Sequence, residues 1–375
     1  MSVRFLTAVS GRAFNMRDRF GREIDYMRIS VIDSCNLNCY YCNPQDNDKK
    51  CQAINTLSVK KVFCIVRAAT RLGITHFRLT GGEPLLHPQI DEMVSQIKKI
   101  PGVRSVSLTT NAVLLAQHAK QLKEAGIDSI NVSLDTIDAS EYEHITKKPL
   151  LHKVEQGIDA AIECGIRVKI NAVLTPQTDV VALTRYVAKK GTDIRFIEMM
   201  PVGEGHTNGV EPYKKVIGTL SKLYGEPCRI NTEKTKEINS GNDKRKIPDN
   251  GPAEYYIFPE LGIRVGLIQA IHGKFCDTCN RIRVTADGRL MPCLGSSVTM
   301  DLVPDSCEFT DDLEKDFVIV QALKAAIKAK PGCHNFNDNA VTYTKTTETK
   351  TVETKTTELK AAEVNAARNM SRIGG

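Results

Sequence analysis

The chain has no tryptophan, and aromatic residues make up 6% of it. With no basic patch interleaved among those few rings, an RNA-modifying role is disfavoured. No stretch approaches the roughly 18 to 20 uninterrupted apolar residues that a membrane-spanning helix needs, and the N-terminus lacks the compact apolar core of a secretory signal. A soluble, cytoplasmic protein that engages no membrane is expected. Arg4, Arg12, Arg17, Arg19 and Arg22 would suit an organellar transit peptide, but Asp18 and Glu23 interrupt that pattern. A large charge excess is also missing: 51 Lys+Arg against 44 Asp+Glu leaves +7, which favours an anionic ligand but is too small to argue for nucleic acid. A phosphate loop of the form G-x4-G-K-[ST] is absent, so phosphate motifs alone indicate no nucleotide site.

Cysteine, by contrast, is plentiful, with twelve in 375 residues. A reducing compartment and a chain of this length argue against a disulfide framework, which leaves metal binding as the leading explanation. Six cysteines fall in two tight clusters. Cys51, Cys64, Cys164, Cys228, Cys307 and Cys333 are scattered and read as small apolar residues or inert surface thiols.

A hydrophobic content of 41% can bury a sizeable core. From about residue 27 to 200, β-branched runs alternate with amphipathic ones. MRISVID, ITHFRLT, VRSVSLTT, IDSINVSL, IRVKINAVL and DIRFIEM are predicted strands, with helices near 59–72, 88–100, 115–125, 152–164 and 178–190 between them. Such units imply a parallel sheet with right-handed crossovers, either open and doubly wound or a partly closed barrel. In both, chemistry gathers at the C-terminal ends of the strands. After a helix near 213–224 come Gly- and Asn-rich loops around 239–252, then AEYYIF, GIRVGLI and RIRVTADGRLMPCL, in which Asp287-Gly288 marks a hairpin. The expected division is 1–228, a smaller unit at 229–335 and a tail at 336–375. In that tail, Lys and Glu repeat every five residues between Thr344 and Lys360, a period that matches neither helix nor strand and reads as a solvated linker.

Cys35, Cys39 and Cys42 stand at C-x3-C-x2-C directly after the first predicted strand. Three thiolates at this spacing can hold three irons of a cubane cluster and leave the fourth iron open. A structural zinc site would usually take four ligands from paired C-x2-C elements, and no nearby Cys or His supplies the fourth. The second strand ends in Thr80-Gly81-Gly82-Glu83-Pro84, where paired glycines permit close backbone approach. Cys276 and Cys279 form C-x2-C, and Cys293 follows across the hairpin. This again gives three ligands and one missing, with a zinc knuckle completed by His272 as the alternative.

The first cluster and the Gly-Gly-Glu-Pro run resemble the radical S-adenosylmethionine superfamily. C-x2-C-x13-C together with a terminal Arg-Ile-Gly-Gly resembles, within it, the molybdenum cofactor GTP cyclase family, over most of the chain from Phe14 to Cys333. The resemblance implies an α/β fold: an incomplete (β/α) TIM-type barrel with a small C-terminal α+β cluster-binding domain. It implies two [4Fe-4S] clusters, on Cys35, Cys39 and Cys42 and on Cys276, Cys279 and Cys293, with S-adenosylmethionine contacted by Tyr41, Gly82, Ser133 and Met200. GTP would be held by Arg28, Arg78, Thr109, Lys169, Arg281 and Arg283, with Arg281 or Arg283 supporting late protonation, and Gly374-Gly375 would reach into the active site. It further implies a homodimer, reduction by flavodoxin or ferredoxin, and consumption of the product by cyclic pyranopterin monophosphate synthase. The alternatives are a radical peptide-modifying enzyme with an auxiliary cluster and a non-catalytic metal-binding module.

Overall fold

A computed structural model describes residues 16–42, 54–202, 209–230, 251–296, 298–302, 313–334 and 336. The Lys/Thr/Glu repeat, Gly374-Gly375 and most of the Gly- and Asn-rich loop lie outside the described residues.

The six predicted strands are present as β1 (Tyr26–Ser30), β2 (His76–Thr80), β3 (Ser105–Thr110), β4 (Ser129–Ser133), β5 (Arg167–Leu174) and β6 (Asp193–Glu198), paired in parallel in that order. Between them run α1 (Val59–Thr70), α2 (Ile90–Lys98), α3 (Leu115–Glu124), α4 (Ala139–Thr146), α5 (Leu151–Glu163) and α6 (Val180–Lys189). Periodicity had not indicated α4, a short helix capped by Asp138, which accepts from the Glu141 N–H at 2.8 Å.

Parallel strands covered on both faces usually read as unbroken apolar runs. Here they alternate, because only one face is covered. Met27, Ile29, Phe77, Leu79, Val106, Leu108, Ile130, Val132, Ile194 and Phe196 are fully buried in the core that includes the helices. Arg28, Arg78, Thr109, Asn131, Lys169 and Arg195 occupy alternate positions and border a cavity on the opposite face.

Five-residue π-helical turns at Tyr213–Ile217 lead into α7 (Gly218–Tyr224), followed by β7 (Cys228–Arg229), β8 (Glu254–Ile257), β9 (Arg264–Ile268), β10 (Arg281–Val284), β11 (Arg289–Met291), β12 (Met300–Asp301) and α8 (Leu313–Ala329). These later strands extend the first sheet at both edges. β10 pairs in parallel with β1, and β9 in parallel with β6, giving the order β12-β11-β10-β1-β2-β3-β4-β5-β6-β9-β8-β7. The ring is not closed, as expected of an incomplete barrel. The β10–β11 hairpin turns through Gly288 at φ 84°, the positive angle expected at Asp287-Gly288. Among the described residues no helix is long and apolar enough to cross a membrane.

Two contacts position the site. α8 docks on α1 through Asp316, whose side chain is 2% exposed and bonded to Arg67 at 2.8 Å and Arg71 at 3.0 Å. The loop after β2 presses on the loop after β1: a Cβ on Gly81 would stand 2.3 Å from the Ile32 carbonyl oxygen, and one on Gly82 would stand 2.1 Å from that of Ser34. The paired glycines therefore answer to a backbone-to-backbone contact between two loops.

Asp316→Ala should cost about 3 kcal/mol, because it leaves the partly buried Arg67 guanidinium without its carboxylate and removes the partner of the exposed Arg71. Gly82→Ala should cost about 1–3 kcal/mol through overpacking against an unyielding backbone. Urea denaturation, with the midpoint lowered and the slope unchanged, checks both.

Candidate active site

The polar inner face of the sheet encloses a cavity of about 480 Å³. The six clustered cysteines and the residues expected to contact S-adenosylmethionine and GTP all border it, whereas His272 does not and Gly374-Gly375 lies outside the described residues. Cys35, Cys39, Cys42, Tyr41, Gly82, Ser133 and Met200 gather where β1, β2, β4 and β6 end; Arg28, Arg78, Thr109 and Lys169 project from the strands; and Cys276, Cys279, Cys293, Arg281 and Arg283 form another wall.

The first cysteine loop is held by backbone bonds to its neighbours. The Asn38 and Tyr40 N–H groups donate to Thr146 and Ile145 at the end of α4, at 3.0 and 3.2 Å, and those of Gly82 and Glu83 donate to Ile32 and Ser34, at 2.7 and 2.8 Å. Glu83, 1% exposed, accepts from the Thr110 hydroxyl at 2.6 Å and the Asn111 N–H at 2.7 Å. Burial pushes its carboxyl up to about 7 against the pull of these donors. Asn111 in turn donates to Asn36 Oδ1 at 2.7 Å, with Cys35 Sγ at 3.8 Å. Tyr41 donates to Asp135 at 2.5 Å, and the Val173 N–H donates to the other Asp135 oxygen at 2.8 Å.

The three thiols lie within electrostatic reach of one another. Burial pushes Cys35 to about 11 and Cys42 to about 12, and Cys39 rises too. Such thiols are inert until a metal takes the proton's place, since a coordinating thiol is deprotonated outright. This donor set suits a soft, multi-iron centre.

Arg283, Arg28 and Arg78 sit side by side on β10, β1 and β2 in one register row. Burial, and after it the neighbouring Arg283, depress the Arg28 guanidinium well below its ordinary range. Arg28 Nε is buried without a hydrogen-bond partner among the described residues. Arg78 donates to the Tyr26 hydroxyl through a short bond and lies 3.4 Å from Thr109 Oγ1. Burial would raise the Tyr26 phenol, but Arg78 and Arg28 together bring it down. Cations abreast in a buried wall are costly unless an anion lies against them. Tyr26 and Arg195, whose Nε donates to Asn171 at 2.9 Å, also border the cavity and were missed in the sequence; the alternation of polar residues along the strands was their signal.

Around the second triad, Cys276 opens a single helical turn, Cys279 precedes β10, and the hairpin returns Cys293 to them. Two buried cations hold these loops by their carbonyl groups. Arg22, ion-paired with Asp18 at 2.6 Å, donates to Cys276 O at 2.7 Å and to Pro331 O at 2.6 Å. Lys330 donates to Arg281 O at 2.8 Å and Pro292 O at 3.0 Å. Burial works to raise the Cys279 thiol, yet Arg281 and Lys330 bring it down to about 6. Cys276 is pushed up by burial and feels Cys293 and Cys279. His272, the candidate fourth zinc ligand, is hydrogen-bonded through Nδ1 to Glu198, which also accepts the Ile271 N–H at 2.7 Å. Among the described residues no three His, Cys, Asp or Glu side chains converge on a single ion. In a cubane each thiolate binds a different iron, so no such convergence is required.

The comparisons with known proteins agree with this geometry. Residues 29–182 match the Radical SAM superfamily, and residues 192–336 match Molybdenum Cofactor Synthesis C. The GTP 3′,8-cyclase of Clostridium acetobutylicum is 36% identical over 334 residues, covering 88% of this chain and 98% of its own. That of Peptoclostridium acidaminophilum is 37% identical over 328 residues, covering 86% and 94%. Among solved structures, Streptococcus suis SuiB bound to its precursor peptide SuiA aligns with a TM-score of 0.53 at 15% identity, over 80% of this chain and 67% of that one, a likeness of fold alone. With cysteines, glycine loops and inward-facing cations placed as described, and with relatives matched over nearly their full length, the chain belongs to the GTP 3′,8-cyclase family of radical S-adenosylmethionine enzymes.

Proposed function

We propose that the chain converts GTP to (8S)-3′,8-cyclo-7,8-dihydroguanosine 5′-triphosphate in molybdenum cofactor biosynthesis. The observation that carries this reading is the row Arg283–Arg28–Arg78, set in the same cavity as two cysteine triads. A triphosphate spreads several negative charges along one chain, and guanidiniums on adjacent strands meet such a ligand with bidentate donors.

In this proposal Cys35, Cys39 and Cys42 hold a [4Fe-4S] cluster, and Tyr41, Gly82, Ser133 and Met200 hold S-adenosylmethionine beside it. Cys276, Cys279 and Cys293 would hold a second cluster on the wall of the cavity that receives the guanine. When bound, the first cluster and its cosubstrate would supply the radical chemistry able to take a hydrogen atom from the ribose C3′. The remaining tasks belong to the protein. Arg28, Arg78, Lys169 and Thr109 fix the phosphates and ribose from the strands, so that C3′ faces one end of the cavity while C8 of the base stays within reach of C3′. The enclosing sheet keeps bulk water from the reacting carbon. Arg283, brought down to about 10 by burial and by Arg281, is the guanidinium best suited to hold a transferable proton for the ring nitrogen.

Reduction by a flavodoxin or ferredoxin, a homodimer, and consumption of the product by cyclic pyranopterin monophosphate synthase complete the proposal. So does the division into a catalytic unit at 1–228, a second-cluster unit at 229–335 and a tail at 336–375.

Anaerobic reconstitution with iron and sulfide, followed by reduction and addition of S-adenosylmethionine, should give deoxyadenosine in a GTP-dependent manner, with a cyclised nucleotide that Cys276→Ala abolishes. Cleavage indifferent to GTP, or stimulated by an acceptor peptide instead, contradicts the proposal. Arg28→Met should weaken GTP binding about tenfold to a hundredfold while S-adenosylmethionine binding is unchanged, as expected for the loss of a charge-assisted bond. Equilibrium dialysis with each ligand checks this.

A further inference from the structure

The two triads stand in opposite electrostatic surroundings. At the first, the side chains fixed beside the cysteine loop are carboxyls: Asp135 accepts from Tyr41, the neighbour of Cys42, and Glu83 accepts from the N–H of Asn111, whose side chain lies 3.8 Å from Cys35 Sγ. Both acids are fixed in place, Asp135 between Tyr41 and Val173 at 2.5 and 2.8 Å, and Glu83 between Thr110 and Asn111 at 2.6 and 2.7 Å.

At the second triad the surroundings are cationic. Lys330 reaches the backbone on either side of it, at Arg281, two residues after Cys279, and at Pro292, next to Cys293, and Arg281 and Arg283 border the same cavity as these cysteines. Lys330 is 2% exposed, and among the described residues its hydrogen-bond partners are the carbonyl oxygens of Arg281 at 2.8 Å and Pro292 at 3.0 Å. Among the described residues these two bonds leave one of its three N–H groups over, and the side chain borders the cavity. A buried ammonium among carbonyl oxygens is costly unless negative charge stands opposite it, and a cluster held by Cys276, Cys279 and Cys293 would provide that charge. Of the acids around it, Asp277 is exposed, Asp18 is paired with Arg22, Asp25 accepts from the Asn280 side chain at 2.6 Å, and Glu198 accepts the Ile271 N–H at 2.7 Å.

Each cluster gains one negative charge when it takes an electron, so adjacent cations favour reduction and adjacent carboxylates oppose it. Resting on the two-cluster reading above, we infer that the cluster on Cys276, Cys279 and Cys293 has the higher reduction potential and accepts the first electron, and that Lys330 is the positioning charge that raises it. One electron delivered to the protein then rests on the substrate side of the cavity, and cleavage of S-adenosylmethionine waits for a second.

The test is an anaerobic potentiometric titration of the full chain, without S-adenosylmethionine or GTP, using a chemical reductant as the one-electron source and following the reduced clusters by electron paramagnetic resonance. Two variants that each retain one triad, made by Cys→Ala changes at 35, 39 and 42 or at 276, 279 and 293, assign the signals. Iron is counted first: about eight per wild-type chain and about four in each variant. The second triad's cluster should be reduced at the higher potential. Lys330→Gln should move it down toward the first and leave the first in place, while Asp135→Asn should move the first upward. Reversed or equal potentials, or a Lys330→Gln variant with an unmoved second cluster, overturn the inference while the two-cluster reading stands. About four irons in the wild type overturn that reading and the ordering together. Should Lys330→Gln lose iron from the second triad, the response of the first cluster to Asp135→Asn decides.

Discussion

Arg283, Arg28 and Arg78 share one register row on three adjacent parallel strands, and the fold holds these charges side by side away from bulk water. Isolated in a core, such a row would be too costly to keep. Its existence requires that one face of the sheet stay polar and open to a ligand while the other carries the hydrophobic core. The strands satisfy this with strict alternation. Ile29, Leu79 and Ile282 are buried beneath the row, within the core, and the guanidiniums project the other way.

The two ends of the cavity are built by different means. The first cysteine loop is held by backbone contacts that tolerate no side chain at Gly81 or Gly82, and by Glu83, Asn111 and Asp135, which link it to three strand ends. The second triad depends on distant cations that hold carbonyl oxygens: Arg22 from near the N-terminus and Lys330 just beyond α8. Because β10 is hydrogen-bonded to β1, the second triad is anchored to the same sheet as the first, which sets both around one 480 Å³ cavity. The separation of acids from cations between the two ends follows from these different anchors.

Much of this was legible in the sequence, because strands, helices and cysteine spacing are local signals. The six strands, five of the helices between them and the Asp287-Gly288 hairpin were read at nearly their observed positions, and the cysteines singled out by spacing border one cavity. What was not legible is long-range. Nothing local says that Arg281 pairs with Tyr26, or that β9 and β10 join opposite edges of one sheet. Lone buried cations such as Arg22 and Lys330 look like surface charges in a sequence, since only their carbonyl partners reveal them. α8 lacked a clean apolar stripe, and Phe317 lies exposed on it. The glycines of the Gly-Gly-Glu-Pro run were noticed for close approach, and the structure adds which backbone they approach.

The central claim is that the cavity presents the ribose of GTP to a radical generated at the first triad. The most direct measurement is turnover of GTP carrying deuterium at C3′, with mass analysis of the deoxyadenosine released. Transfer of one deuterium into deoxyadenosine, together with formation of the cyclised nucleotide, is the predicted result. Unlabelled deoxyadenosine formed at the same rate would contradict it.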